Sequence, residues 1–428
     1  KMSREPDLSP KILLVNFHST MNAGDLGLLV SAREFLMCTF PSCEITVSAN
    51  WPDEPAYRDN DFNVVPSPWS LSGLNTKASI LQQLWKFIVA GIKLYHTDPK
   101  LFFVDPDINH LRSAYREADI IASVPGNQFY SSGRFGWPFP VSILGVLLAK
   151  HYKKPLVVLP QSIGPLKRWW ERALLRKTYG NARRIFLRDE NSLDLAKQLG
   201  LPNENVSYSP DLALGLQSGD PSIALEVLRQ AGVGLARPKL GVTLISKMNR
   251  SFDSQAMQNY YEVLETSLGK FAHDNCIQLI FFNQVTGPTP VEDDSIPTAR
   301  MVERLQRSGI DAIHFNQCLP PGLLKACYGQ MDIFLATRLH SGIFAIGSTV
   351  PTLFIGYLTK TQGLVRSLKI EDDFIDLSDL SEACVLVKLD DLWENRASRR
   401  THLAKVLSQA QQQQAELVEL LKKDFSND

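Results

Sequence analysis

Lys11-Ile-Leu-Leu-Val-Asn-Phe17 is a run of mostly apolar residues, followed by a loop at 18–25 and by helical spacing of apolar residues from Leu26 to Phe40. A strand that is apolar on both faces and leads into a helix is the unit from which helix-covered parallel sheets are built. The same alternation continues along the chain. A second strand is expected at 45–49, helices at 78–95 and 107–117, and another strand at Ile120-Ile-Ala-Ser-Val124. Strands at 155–160 and Arg184–Leu187 follow, each with a helix behind it. A further series opens at Lys239-Leu-Gly-Val-Thr-Leu-Ile245 and runs through 277–282, Ala312–Phe315, Ile333–Ala336 and 352–355. Two such series predict an α/β protein of two Rossmann-like domains with strand carboxyl ends facing a central cleft.

The expected divisions are 8–215 for the first domain, 216–238 for a linker, and 239–397 for the second domain. The linker is rich in Gly, Pro and Ser at its ends and holds a short helix at 223–230. A C-terminal amphipathic helix and tail are expected at 398–428. There Leu403, Val406, Leu407, Leu417, Leu420 and Leu421 fall near helical spacing around a solvated glutamine run at 411–414.

The length of 428 residues fits this count, at about 150 residues per domain. Hydrophobic residues make up 44% and charged residues 21%, a globular composition rather than a disordered one. Lys+Arg and Asp+Glu both number 45, and zero net charge argues against a dedicated nucleic-acid binder. Cys38, Cys43, Cys276, Cys318, Cys327 and Cys384 show no metal-ligand spacing, so reduced, structural thiols in a cytoplasmic protein are expected. No apolar run follows the first residues, so no secretory signal is expected. The stretch 137–149 is interrupted by Pro138 and Pro140 and falls short of the ~20 residues that span a bilayer. The expected location is the cytoplasm, with the inner membrane face as the one alternative.

Five segments could carry chemistry. Asn22-Ala-Gly-Asp-Leu-Gly27 lies between a strand and a helix, where ligands bind in doubly wound folds. Asp25 there is either the helix N-cap or a catalytic carboxylate, and one residue can be both. Val124-Pro-Gly-Asn127 with the glycine- and serine-rich 129–136 suits sugar or phosphate contact or a structural loop equally. Gln161 and Ser162 close a strand and can hydrogen-bond a substrate. Behind them, Lys167-Arg-Trp-Trp-Glu-Arg172 reads either as a basic aromatic helix for an anionic lipid surface or as a core tryptophan beside a solvated basic face. Arg188 offers a planar fork to a carboxylate or phosphate, or an ion pair to Asp189, Glu190 or Asp211. In Leu335-Ala-Thr-Arg-Leu-His-Ser-Gly342, Arg338, His340 and the free amides of a helix start converge on an anion site, within reach of Lys360. Glu292-Asp293-Asp294 is expected to be a solvated loop, and no metal is expected.

Asn22-Ala-Gly-Asp25, Arg188-Asp-Glu with Ser192, Ser209-Pro-Asp211, Thr337-Arg-Leu-His-Ser341, and Tyr357 with Lys360 and Gly363 together resemble the polysaccharide pyruvyl transferases, over about 11–375. The resemblance implies a two-Rossmann, glycosyltransferase-B-like fold with an acceptor-side first domain and a donor-side second domain. It implies transfer of pyruvate from phosphoenolpyruvate (PEP), as co-substrate, to two hydroxyls of a sugar in a polysaccharide or lipid-linked glycan. No cofactor, metal or nucleic acid is implied, and a lipid-linked acceptor would bring a peripheral membrane contact. By the same resemblance Arg188, Arg338, Leu339, His340 and Lys360 bind PEP. His340 and Asp25 serve as acid and base in either assignment. Asn22, Gly126, Asn127 and Gln161 are the acceptor-side candidates, although Pro-Gly-Asn stands where many members carry a Gly-Gly pair. The alternative is a nucleotide-sugar glycosyltransferase or epimerase of the same fold, since fold alone does not fix chemistry.

Overall fold

A computed structural model describes residues 9–71, 80–95, 106–132, 136–246, 254–356 and 359–426. Its contacts divide the chain into two units. The first comprises 1–20, 28–212 and 413–428, the second 21–27 and 213–412.

In the first unit the apolar runs pair in parallel as β1 (Lys11–Phe17), β2 (Glu44–Ala49), β3 (Asn63–Pro66), β4 (Ile120–Ser123), β5 (Gly126–Phe129), β6 (Leu156–Ile163), β7 (Arg184–Leu187) and β8 (Val206–Tyr208). The strand order is β8-β7-β6-β4-β1-β2-β3, with β5 also paired to β6. β6 is buried along its whole length, as a strand covered on both faces must be. The chain winds one way from β1 and the other way from β4, so the topological switch point lies between these neighbours. The helices that matter below are α1 (Ala23–Thr39), α2 (Ile80–Tyr95), α3 (Phe139–His151), α4 (Trp169–Tyr179) and α5 (Glu190–Leu199). Leu13, Val15, Ile121, Phe139, Val146, Val158 and Tyr179 belong to one core between sheet and helices.

In the second unit β9 (Lys239–Thr243), β10 (Gln278–Phe282), β11 (Ala312–Phe315), β12 (Ile333–Ala336), β13 (Thr352–Gly356) and β14 (Phe374–Asp376) form a parallel sheet. Its order is β11-β10-β9-β12-β13-β14, which puts the switch point between β9 and β12. Helix α6 (Ser254–Asn275) covers one face, and α7 (Leu339–Ile346) leaves the carboxyl end of β12. Glycine is required at 342, because a Cβ there would lie 2.0 Å from the Phe354 ring.

Several boundaries differ from the sequence expectation. The short edge strands β3, β8 and β14 were not foreseen, since three or four residues give too little alternation to read. The expected linker is part of the second unit. Ala224 and Leu228 of the helix Pro221–Gln230 are buried, and Lys325 Nζ donates to the Leu216 carbonyl at 2.6 Å. The C-terminal helix α8 (Arg396–Ser426) buries Leu403, Val406, Leu407, Leu417 and Leu421, while glutamines 411–413 are exposed. Within the first unit its end is fixed by Arg184, whose Nε and Nη2 both donate to the Asp424 carboxylate at 2.6 Å, and by Phe425 against Phe40. No helix among the described residues is long and apolar enough to cross a membrane, and all six cysteines are free.

The tryptophan pair is split. Trp169 is 81% exposed, whereas Trp170 packs edge-on against Phe139 at 5.9 Å. Arg168 faces inward onto the fully buried Glu171, whose other oxygen accepts from the amides of residues 167 and 168. Half of that expected basic aromatic face therefore caps α4 from within.

Candidate active site

Arg338, Leu339 and His340 open α7 at the switch point of the second sheet. Arg338 is the N-cap in extended conformation, and its carbonyl accepts from the Ser341 hydroxyl at 2.7 Å. Ser341 in turn bonds Thr243 at 2.6 Å, and Thr337 bonds the buried Tyr260 hydroxyl at 2.8 Å. The turn is thereby tied to β9 and α6 by side chains buried on both sides.

The guanidinium is held as firmly as the backbone. Nε donates to Asp294 Oδ2 at 2.9 Å and Nη2 to Oδ1 at 2.6 Å, a bidentate pair whose carboxylate has no exposed surface. Asp294 Oδ1 also accepts from the Ser246 amide at 2.8 Å. Burial pushes the Asp294 carboxyl up from the usual carboxylate range, and the Arg338 charge pulls it back. This corrects the expectation of a solvated acidic loop. Glu292 and Asp293 are part-exposed, but Asp294 is an interior group carried into the site by the segment between β10 and the helix Ser295–Arg307. An acidic triplet looks like surface in a sequence, and only its buried partner reveals the third member.

The Asn22–Asp25 segment lies in the same unit as this turn, although chain order assigns it to the first domain. Ala23 N donates to the Gln284 carbonyl at 2.9 Å, Thr286 N donates to the Met21 carbonyl at 2.9 Å, and Asn22 bridges to Val285. Gly24 lies directly on His340: a Cβ at this position would stand 2.5 Å from the His340 Cβ and 2.7 Å from its Nδ1. Glycine is needed here for close approach. The cap of α1 is Asn22, whose side-chain oxygen accepts from the amides of Gly24 at 3.0 Å and Asp25 at 3.4 Å. Asp25, which the sequence offered as the cap, is instead the third residue of the helix, in its first turn. Asn22 is thus a positioning residue for the loop. Lys360 lies in the first turn of the helix Thr359–Ser367, after β13, the strand next to β12.

The remaining candidates lie in the first unit. Arg188 at the end of β7 is buried with Asp211, Nη1 to Oδ2 at 2.5 Å, and its Nε donates to Ser162 at 2.9 Å. The ion-pair reading holds for Arg188, with Asp211 as its partner. Gln161 is fully buried, its Nε2 donating to Ser123 and the Val124 carbonyl and its Oε1 accepting from Tyr179. Those bonds use the amide as an interior bracket between β4, β6 and α4, which corrects its place among substrate contacts. Gly126 adopts φ +136°, a region that favours glycine, and aims the following residues out of β4. Among the described residues, Asn127 Oδ1 and Gln128 Oε1 are buried acceptors without a hydrogen-bond donor, which a hydroxyl-rich ligand would supply. Residues 133–135 of that loop, Tyr357 and the first two residues of the helix expected from 78 lie outside the described residues.

A family model for polysaccharide pyruvyl transferase matches residues 22–359, the span holding every candidate residue except Lys360, which follows its last position. The chain is 20% identical over 409 residues to the amylovoran biosynthesis protein AmsJ of Erwinia amylovora, covering 93% of this chain and 96% of that protein. Among solved structures, HepE of Anabaena in complex with UDP and glucose is similar at TM-score 0.57 and 12% identity, covering 97% of this chain and 99% of that one. UDP-GlcNAc 2-epimerase from Neisseria meningitidis bound to UDP-GlcNAc is similar at TM-score 0.60 and 12% identity, covering 96% and 100%. At that identity the two structures share with this chain a two-domain Rossmann-like fold.

Proposed function

The chain belongs to the polysaccharide pyruvyl transferase family, and from that premise we propose that it moves the pyruvyl group of PEP onto two hydroxyls of one sugar, closing a cyclic ketal and releasing phosphate. The observation that supports this reading most is the packing of the Asn22–Asp25 segment on His340, beside an arginine already locked in position by Asp294. PEP is a small polyanion. Arg338, Lys360 and the amides opening α7 are the groups to bind its phosphate and carboxylate, with Leu339 contributing backbone.

His340 delivers a proton to the vinyl carbon of PEP, leaving an oxocarbenium-like centre at C2. Asp25 takes the proton of the first sugar hydroxyl as its oxygen bonds to C2. The second hydroxyl then bonds to C2 while the C2–O bond to phosphate breaks, and its proton leaves with the phosphate. An acid and a base are both required, and each contributes about 10²–10⁴-fold.

The test is calorimetric titration with PEP, UDP-sugars and GDP-sugars beside a phosphate-release assay with saccharide acceptors. PEP should bind and raise the melting temperature, since a ligand bound only by the native state stabilises it. His340→Gln should keep PEP affinity while turnover falls by about 10²–10⁴-fold. Stabilisation by a nucleotide sugar and none by PEP would replace this reading with the glycosyltransferase one.

A further inference from the structure

Helix α2 carries two apolar sides. Ala90 and Leu94 are buried, as the inner side requires, yet Trp85, Ile88, Ile92 and Tyr95 form a second stripe at steps of three, four and three residues. These four side chains are 67%, 45%, 47% and 39% exposed. Between this stripe and α3 runs a groove of about 350 Å³ whose walls include Ile88, Ile92, Ile143, Leu144 and Leu147 and carry no charged side chain.

The two helices that wall the groove, α2 and α3, carry lysines and no carboxylate. No Asp or Glu occurs from 62 to 97 or from 120 to 170, in a chain whose net charge is zero. Lys86 and Lys93 flank the stripe on α2. The Tyr95 ring lies 4.5 Å from that of His151, and the Tyr152 hydroxyl donates to the Leu94 carbonyl at 3.0 Å, which brings Lys150, Lys153 and Lys154 to the same end. An exposed apolar stripe with aromatic residues at its ends and a border of lysines without carboxylates is complementary to anionic headgroups over an acyl interior.

We propose that the α2–α3 face seats the protein on an anionic phospholipid surface, with Trp85, Ile88 and Ile92 entering the boundary between headgroups and acyl chains. The assignment differs from the one the sequence suggested, because the exposed Trp169 stands beside an arginine turned inward.

Flotation of the full chain with vesicles of phosphatidylglycerol and phosphatidylcholine, against phosphatidylcholine alone, tests it. Binding should require the anionic lipid and weaken with salt. Ile88→Asp with Ile92→Asp should lower it by at least tenfold. Lys150→Gln, Lys153→Gln and Lys154→Gln should each cost about fivefold, while Trp169→Ala should change nothing. Trp85→Ala, which adds no charge, guards against a folding defect, with circular dichroism as the check. Absence of binding to anionic vesicles overturns the proposal, as does binding that survives the double aspartate variant. A dimer in light scattering that the double variant dissolves would overturn it in favour of a second copy.

Discussion

Removing Arg338 should cost more stability than removing the carboxylate it binds. Asp294 has no exposed surface, whereas the Arg338 side chain retains 21%. In Asp294→Asn the arginine loses the negative charge and one of its two acceptor oxygens but can turn toward water. In Arg338→Ala the carboxylate stays inside with no charged partner, the Ser246 amide still donating to it at 2.8 Å. Leaving one charge of a buried pair uncompensated costs about 3–5 kcal/mol. At about 2–4 °C per kcal/mol for a unit of this size, the melting temperature should fall by about 6–20 °C. Acidification should narrow that deficit. Burial already raises the Asp294 pKa and Arg338 lowers it, so losing Arg338 raises it further, and protonation then relieves the buried charge at a higher pH than in the native protein. The double variant Asp294→Asn, Arg338→Ala should recover part of the loss even near neutral pH. Thermal denaturation of the three variants between pH 5 and 8, by circular dichroism at 222 nm, measures all of this. An Arg338→Ala protein that melts with the wild type, or whose deficit ignores pH, would refute the claim that this pair is a buried, mutually dependent one.

Gly24→Ala should lower the melting temperature and also cut kcat of phosphate release by tenfold or more in the protein that remains folded, because its Cβ would stand 2.5 Å from the His340 Cβ and push the loop away; full turnover in the variant would separate the loop from the chemistry. Asp373 is held at about 6 by burial, against the pull of Arg399 at 3.1 Å. A carboxyl raised in the fold contributes stability fully present below its unfolded value and lost as pH rises through about 6, so the protein should melt higher at pH 5 than at pH 7. Between pH 5 and pH 7 the raised value corresponds to an effect on the order of 1 kcal/mol. Asp373→Asn should flatten that slope, and an unchanged slope would assign it to other groups.

The order of strands and helices was legible because β1 and β6 carry unbroken apolar runs at 12–15 and 156–159, which a sheet covered on both faces explains. The turn at Thr337–Ser341 was legible as a strand-to-helix junction, because the apolar run 333–336 stops at Thr337 and helical spacing follows. Asp294 was not, because its burial depends on a partner 44 residues away that no local pattern records. Gln161 looked like an available strand end, because the bonds that occupy its amide come from Tyr179 and Ser123, both distant in sequence. For Arg188 the pairing with Asp211 was one of the two readings the sequence left open. The unit to which Met21–Gly27 belongs is likewise invisible to chain order, since the loop's backbone pairs with residues 284–286.

That α8 ends in the first unit also bears on how the protein comes off the ribosome. Domains generally fold as they emerge, the N-terminal one first. Here the first unit takes its last segment from 413–428, and Arg184, 7% exposed, has its carboxylate partner at Asp424. Until residues 424 and 425 are made, the nascent chain holds Arg184 without that carboxylate and Phe40 without Phe425. The unit whose strands are made first is completed only by this helix, so loss of 413–426 unsettles the packing around Arg184 and Phe40.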